Sequence, residues 1–280
     1  MHSYQNKVAV VTGAASGIGQ GLAARAAALG MRVVVADIDA DSLAGVETAL
    51  RERGATVLAV RTDVADYDSV SVLAEAAYQH FGAVHLLFNN AGVLVDGLSW
   101  ERSVEDWRWS FDVNAMGVVH GIKAFVPRML EGGEEGVVVN TASQAGLIVG
   151  PFLGPYSASK HAVVGISETL LYELSLLKAK VRAAVLCPGE VATRIWESER
   201  LRPEQYGEKP DFSTRAEASF RELVSTGVAQ GMTPAQLAEF VFDALAQGKF
   251  WLFPHPNFKP TYSRRYQSVI AETVPQVMQF

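Results

Sequence analysis

Short runs of β-branched residues alternate along this chain with longer stretches in which Ala and Leu recur at helical spacing. The runs at 8–11, 32–36, 56–60, 84–88, 137–140, 181–186 and 250–253 predict strands. The stretches at 18–29, 41–53, 69–81, 104–130, 156–177 and 234–247 predict helices, the fourth broken near Asn114. Strands alternating with helices imply parallel βαβ units, with helices on both faces of a sheet. Val33-Val34-Val35 and Val137-Val138-Val139 are apolar without alternation, as strands buried on both faces are. The expected fold class is α/β, a doubly wound parallel sheet of about seven strands, in a single domain over 1–280. The segment 190–231 is polar, carries Pro203 and Pro210, and interrupts the rhythm. Because 234–253 resumes it, 190–231 predicts a lid over a site rather than a linker, with 254–280 a C-terminal tail.

Composition narrows the partners. With 24 basic and 30 acidic side chains the net charge is −6, which speaks against a nucleic-acid partner. The 49% apolar and 19% charged content supports a large core and argues against disorder. No run approaches the ~18 apolar residues of a membrane span, and the first residues lack the apolar core of a secretion signal. Cys187 is the single cysteine, so no intrachain disulfide forms, which suits a reducing compartment. The expectation is a soluble cytoplasmic protein. His2, His80, His85, His120, His161 and His255 show no metal-ligand spacing, so no catalytic metal is expected. His161 reads as a helix-surface residue, and Trp100, Trp107 and Trp109 as packing residues.

The first strand runs into Thr12-Gly13-Ala14-Ala15-Ser16-Gly17-Ile18-Gly19, and a helix follows. Glycines let the backbone turn sharply and approach a pyrophosphate, which the helix N-terminus then attracts. Gly13, Ser16, Gly17, Ile18 and Gly19 are therefore candidate phosphate-binding residues of a Rossmann-type fold. The spacing is Gly-x-x-x-Gly-x-Gly rather than the more usual Gly-x-Gly-x-x-Gly. Asp37 closes the second strand, 18 residues past Gly19, where an acid accepts from the adenosine ribose hydroxyls. It would also repel a 2′-phosphate, and Ile38 offers no cation to welcome one. That favours NAD(H) as cofactor over NADP(H). Asp63, with Val64 beside it, follows the third strand; it either meets the adenine edge or caps the next helix.

Thr12–Gly19, Asn89-Asn90-Ala91-Gly92, Ser143, Tyr156-Ser157-Ala158-Ser159-Lys160 and Pro188-Gly189 together resemble the classical short-chain dehydrogenases/reductases, over roughly residues 6–193. Tyr156 and Lys160 are four apart, so on a helix they share one face. A nearby ammonium stabilises the phenolate and lowers its pKa from about 10. A phenol so tuned exchanges protons with an alcohol or carbonyl near working pH. Ser143 lies just past the fifth strand, at the carboxyl end of the sheet where ligands bind. Its hydroxyl can meet a substrate oxygen as charge develops there. Thr141-Ala142-Ser143-Gln144-Ala145 lacks the Gly-x-Ser-x-Gly elbow of a hydrolase nucleophile. The resemblance implies that Asn114 distorts its helix and holds a water linking Lys160 to solvent. It also implies that Asn90, Ala91 and Gly92 support the adenosine side. Pro188, Gly189, Val191 and Thr193 would then lie against the nicotinamide, Val191 by its backbone.

The expected activity is hydride transfer between a nicotinamide and a lipophilic secondary alcohol or ketone. Residues 146–153, Val93, Leu94, Val95, Ile195, Trp196, Tyr206 and Phe212 supply an apolar surround for it. Leu201–Gly207 and Pro254-His255-Pro256 look like the aryl-ether Cα-dehydrogenase branch, which suggests a bulky or aromatic substrate. The helix at 162–177 is apolar nearly all round, and its second face predicts a homo-oligomer, a dimer or homotetramer. Two other classes share the glycine-rich turn: a methyltransferase, which has no need of Ser143, Tyr156 and Lys160, and a non-enzymatic dinucleotide sensor.

Overall fold

In the computed structural model, residues 3–208, 211 and 213–275 are described. His2, Pro210, Phe212 and the last five residues of the expected tail lie outside them. Seven parallel strands form one sheet: β1 (Val8–Thr12), β2 (Arg32–Asp37), β3 (Val57–Arg61), β4 (Leu86–Asn89), β5 (Gly136–Thr141), β6 (Val181–Leu186) and β7 (Trp251–Leu252). Their order is β3-β2-β1-β4-β5-β6-β7, a Rossmann-like arrangement that reverses direction between β1 and β4. A crevice opens at the carboxyl ends of such strands, where the order reverses.

Strand alternation sorts the core into two layers. Ala9, Val11, Val33 and Val35 point to one face, where α1 (Gly17–Ala28), α2 (Ala40–Glu52) and α8 (Pro234–Ala246) cover them. Val8, Val10, Val34 and Ala36 point to the other, under α3 (Tyr67–Phe81), α5 (Gly117–Glu131) and α6 (Gly154–Leu176).

The single helix expected at 104–130 is three segments. α4 (Val104–Phe111) leads into a π-helical turn, Asp112–Met116, and then α5. The break expected near Asn114 is this turn, in which Gly117 N–H bonds the Asp112 carbonyl five residues back. Two helices lie where the sequence pattern predicts none. α7 (Arg215–Ala229) lies within the 190–231 segment and buries Glu217, Phe220 and Val228; Phe220, Leu223, Val224 and Val228 recur at helical spacing, a signal obscured by the polar, proline-bearing stretch before it. α9 (Lys259–Ile270), in the tail, has no fully buried residue and is mostly polar, and only partly buried Tyr262 packs against the Leu147 cluster.

Candidate active site

The crevice holds about 1350 Å³ of atom-free space, its open mouth included. Its floor begins at the β1–α1 turn. Gly13 has φ +65°, and a Cβ there would fall 2.7 Å from Ala91 Cα, so only glycine lets the two loops meet. Thr12 Oγ1 ties them by accepting from the amides of Asn90 (2.9 Å) and Ala91 (3.1 Å). Ser16 stands at the N-cap of α1, yet no side chain caps that helix. Ser16, Gly17 and Ile18 line the crevice, but Gly19 does not. A Cβ on Gly19 would clash with the Gly13 carbonyl and the Asn90 side chain, so glycine lets the turn close on itself.

Asp37 lines the crevice and is already engaged: Oδ2 accepts from Ala15 N at 2.9 Å and Oδ1 from Asp39 N at 3.0 Å. Each oxygen keeps further acceptor capacity. Asp39, not Asp37, caps α2 through Ser42 N. Asp63 and Val64 line the crevice beside Asp37. The cap of α3 belongs to Asp66, so the capping alternative for Asp63 falls away.

The other end is drier. Tyr156 and Lys160 sit one turn apart on α6 and line the crevice with Ser143. Lys160 Nζ donates to the Thr141 carbonyl at 2.9 Å and lies 5.8 Å from the Tyr156 ring centroid. Burial drives Lys160 down to about 8, partly offset by the Cys187 sulfur. Burial also pushes the Tyr156 phenol above its ordinary value, and a hydrogen bond from Ser143 opposes it. The lowered phenol expected from the ammonium is thus not what this geometry gives, because desolvation outweighs the opposing contacts.

Asn114 does not line the crevice but stands behind it, fully buried in the π turn. Its Oδ1 accepts from Val93 N (2.8 Å), and its Nδ2 donates to Val93 O (2.9 Å) and Ser159 Oγ (3.0 Å). Ser159 in turn donates to the Tyr156 carbonyl at 2.8 Å. A Cβ on Gly92 would fall 3.1 Å from Asn114 Oδ1 and 3.2 Å from Lys160 Nζ, so the three are tightly juxtaposed.

Pro188, Gly189, Val191 and Thr193 line the crevice, as do Asn90, Ala91 and Gly92. The tail holds this region through His255. Gly189 N donates to His255 Nδ1 at 3.1 Å, and the His255 carbonyl accepts from Gln144 Nε2 at 3.0 Å.

The apolar wall differs from expectation. Val93, Trp109, Ile195, Leu201, Tyr206 and Val228 line it. The 146–153 segment does not: Leu147 and Ile148 pack in a separate cluster with Phe258 and Tyr262, and Phe152 packs on Phe220 of α7. Leu94 and Trp196 do not line it, Trp196 lying under the Arg221 guanidinium, while Val95 packs with the wall residues Val93, Trp109 and Tyr206 without reaching the crevice. Trp100 is 79% exposed and so packs no core. His161 is half-buried rather than at the surface, with Nδ1 at 2.8 Å from the Ser157 carbonyl.

Charge fastens parts of the 190–231 segment to the rest of the chain. Arg202 Nη2 meets fully buried Asp106 at 2.6 Å while its guanidinium covers Trp109. Arg221 pairs with Asp96 at 3.1 Å, and Glu217 accepts from Leu98 N at 2.9 Å. At the Asp37 end, Arg200 lines the crevice and reaches Asp39 Oδ2 at 3.1 Å. The sequence shows no cation near Ile38; the fold brings one from a distant segment. Thr12, Ser159, His255 and Arg200 all serve the site without standing out in the sequence as site residues. Thr12 lies in the glycine-rich turn, Ser159 between Tyr156 and Lys160, and His255 in Pro254-His255-Pro256, whereas Arg200 carries no local signal.

Among the described residues, no group of three or more His, Cys, Asp or Glu could hold a metal ion. No helix of theirs is long and apolar enough to cross a membrane.

A doubly wound parallel sheet, with a crevice at its reversal point, defines a dinucleotide-binding type of α/β protein. The family model described as short chain dehydrogenase matches residues 7–204. The chain belongs to that family, whose members are oxidoreductases. It is similar to a solved short chain dehydrogenase/reductase from Burkholderia phymatum in complex with NAD, at 42% identity and TM-score 0.97, covering 100% of both chains. It is also similar to the CLA biosynthesis dehydrogenase/reductase of Lactiplantibacillus plantarum, 34% identical over 99% of this chain and 98% of that protein. A C alpha-dehydrogenase of Sphingobium sp. is 31% identical over 98% of this chain and 89% of that protein.

Proposed function

We propose that this chain is an NAD(H)-dependent oxidoreductase that interconverts a lipophilic, bulky or aromatic secondary alcohol and its ketone. The observation that carries the reading is the convergence of Ser143, Tyr156 and Lys160 on one dry end of a crevice whose other end is lined by Asp37. The residues present suit a nicotinamide dinucleotide. Gly13 keeps the turn low, no side chain caps α1, and Asp37 retains acceptor capacity for ribose hydroxyls. When bound, the nicotinamide supplies the hydride acceptor or donor.

The chain's own groups do the rest. Tyr156 takes the alcohol proton in oxidation and returns one to the carbonyl oxygen in reduction. Ser143 donates to the substrate oxygen and holds it near Tyr156. Lys160 stays mostly protonated at pH 7, with its pKa near 8, and favours the phenolate as it forms. It also anchors the nicotinamide ribose. Asn114 fixes the Val93 backbone and supports proton relay toward Lys160. Val191 and Thr193 hold the nicotinamide end, while Asp63, Val64, Asn90, Ala91 and Gly92 flank the adenosine end.

Supporting the substrate class are the apolar wall from Val93 to Val228 and the likeness to a C alpha-dehydrogenase. We read the chain as one domain, with 190–231 as its lid. A cytoplasmic setting is supported by the single cysteine, Cys187, which is free. The groove between α5 and α6, lined by Ile122, Val126, Leu174 and Leu176, supports a dimer or homotetramer. Leu176 there is 83% exposed in the single chain. Light scattering that finds a monomer at micromolar concentration contradicts the oligomer.

The test of the activity is a panel of secondary alcohols and ketones read by NADH absorbance. Turnover of aryl or long-chain alcohols with NAD is the expected result. A protein that shifts its melting point with NADH yet turns over nothing on the panel is a sensor, and one that shifts only with S-adenosylmethionine is a methyltransferase.

A further inference from the structure

We infer that Asp39 determines cofactor specificity indirectly, by holding the Arg200 guanidinium away from the 2′ position of the adenosine ribose. This rests on the reading above, that the crevice takes a nicotinamide dinucleotide. Arg200 comes from the lid and lines the crevice together with Asp37, Ile38 and Asp63. Arg61, opposite Asp37 in register, does not line the crevice. Arg194, also in the lining, is bound to Glu197 at 2.6 Å.

The Arg200–Asp39 contact is 3.1 Å, with side chains 27% and 19% exposed. An ion pair this open is worth little as stability and exchanges readily. Its weight lies in what it does to the local charge. A 2′-phosphate brings about two negative charges to a wall that already holds Asp37 and Asp63, with Asp39 two residues along the chain from Asp37. Arg200 is the group that could answer them, with a planar donor fork matched to phosphate. Paired to Asp39 it is neutralised and turned toward α2. Discrimination then comes from an occupied cation as well as from a repelling acid.

Asp39 can be changed without losing its structural duty. It caps α2 by accepting from Ser42 N and Ser42 Oγ, and Asn is an equally good N-cap. The experiment compares wild type, Asp39→Asn, Arg200→Gln and the double variant. Two readouts are taken: affinity for 5′-ADP and 2′,5′-ADP by calorimetry, and kcat/KM with NAD and NADP. In Asp39→Asn the 2′,5′-ADP to 5′-ADP affinity ratio, and the NADP to NAD ratio, should rise about tenfold. In the double variant the gain should vanish.

Ratios within twofold of wild type in Asp39→Asn overturn the inference while leaving the dinucleotide reading intact. A gain that persists in the double variant also overturns it, since Arg200 would not be its source. If wild type binds neither 5′-ADP nor NAD, the dinucleotide reading itself fails, and the inference with it.

Discussion

The two ends of the crevice are made of different materials. At the Tyr156 end, Ser143, Tyr156 and Lys160 come from one stretch of chain, 143–160, and Lys160 and Asn114 are buried. At the Asp37 end, Asp37, Asp63 and Arg200 come from three distant segments, and the charges are partly in water. A charge in the dry end shifts the proton affinity of its neighbours strongly, whereas a charge in the wet end is screened. Proton transfer from a desolvated phenol belongs in the first, and discrimination between similar ligands needs only the weaker forces of the second.

The largest effect that sharpens this contrast is expected at Lys160. Its ammonium is held near 8 against an ordinary 10.5, which costs the folded state about 3 kcal/mol near neutral pH. Lys160→Met should lower kcat/KM at least about 10²-fold and yet raise the melting temperature by about 2–6 °C at pH 7. The pH sign follows from proton counting. Between about 8 and 10.5 the unfolded chain binds the extra proton, so the cost fades as pH rises through that window. The melting gain of the variant should therefore shrink by pH 10. A melting temperature that falls, or a gain that is independent of pH, breaks the account of a dry, strained end.

Next in size is the buried Arg202–Asp106 pair. Arg202→Met leaves Asp106 buried without its guanidinium, keeping the Ser103 amide. A loss of about 3 kcal/mol is expected, seen as a melting temperature lower by about 5–10 °C, with a raised KM for the alcohol. A smaller effect is expected at the wet end. Asp37→Ala should narrow the preference for NAD over NADP about tenfold, read from the ratio of kcat/KM values. Unchanged selectivity would remove Asp37 from adenosine recognition.

The same contrast explains which features are legible in the amino-acid sequence and which are not. The Tyr156 end is local: helical spacing places Tyr156 and Lys160 on one face, and Ser143 sits at a strand end. Most of the sheet is legible too, because doubly buried strands such as Val33-Val34-Val35 leave an uninterrupted apolar mark. Arg200 is not, since its partner lies 161 residues away and no pattern in either segment announces the contact. α7 and α9 escape notice because their few apolar contacts, Phe220 and Val228 in one and Tyr262 in the other, sit among mostly polar residues. The 146–153 segment misleads for the opposite reason. Its apolar residues do pack, but against Phe258, Tyr262 and Phe220 rather than around the crevice. Gly19 packs against the Gly13 carbonyl and the Asn90 side chain, a role that glycine spacing does not encode.

The central claim is that Tyr156 moves the proton in an alcohol–ketone interconversion. The direct measurement pairs turnover with cofactor binding in Tyr156→Phe, which keeps the ring and removes only the hydroxyl. NADH binding, followed by fluorescence, should stay within about threefold of wild type, while kcat falls at least about 10³-fold. Wild-type turnover in that variant would contradict the account.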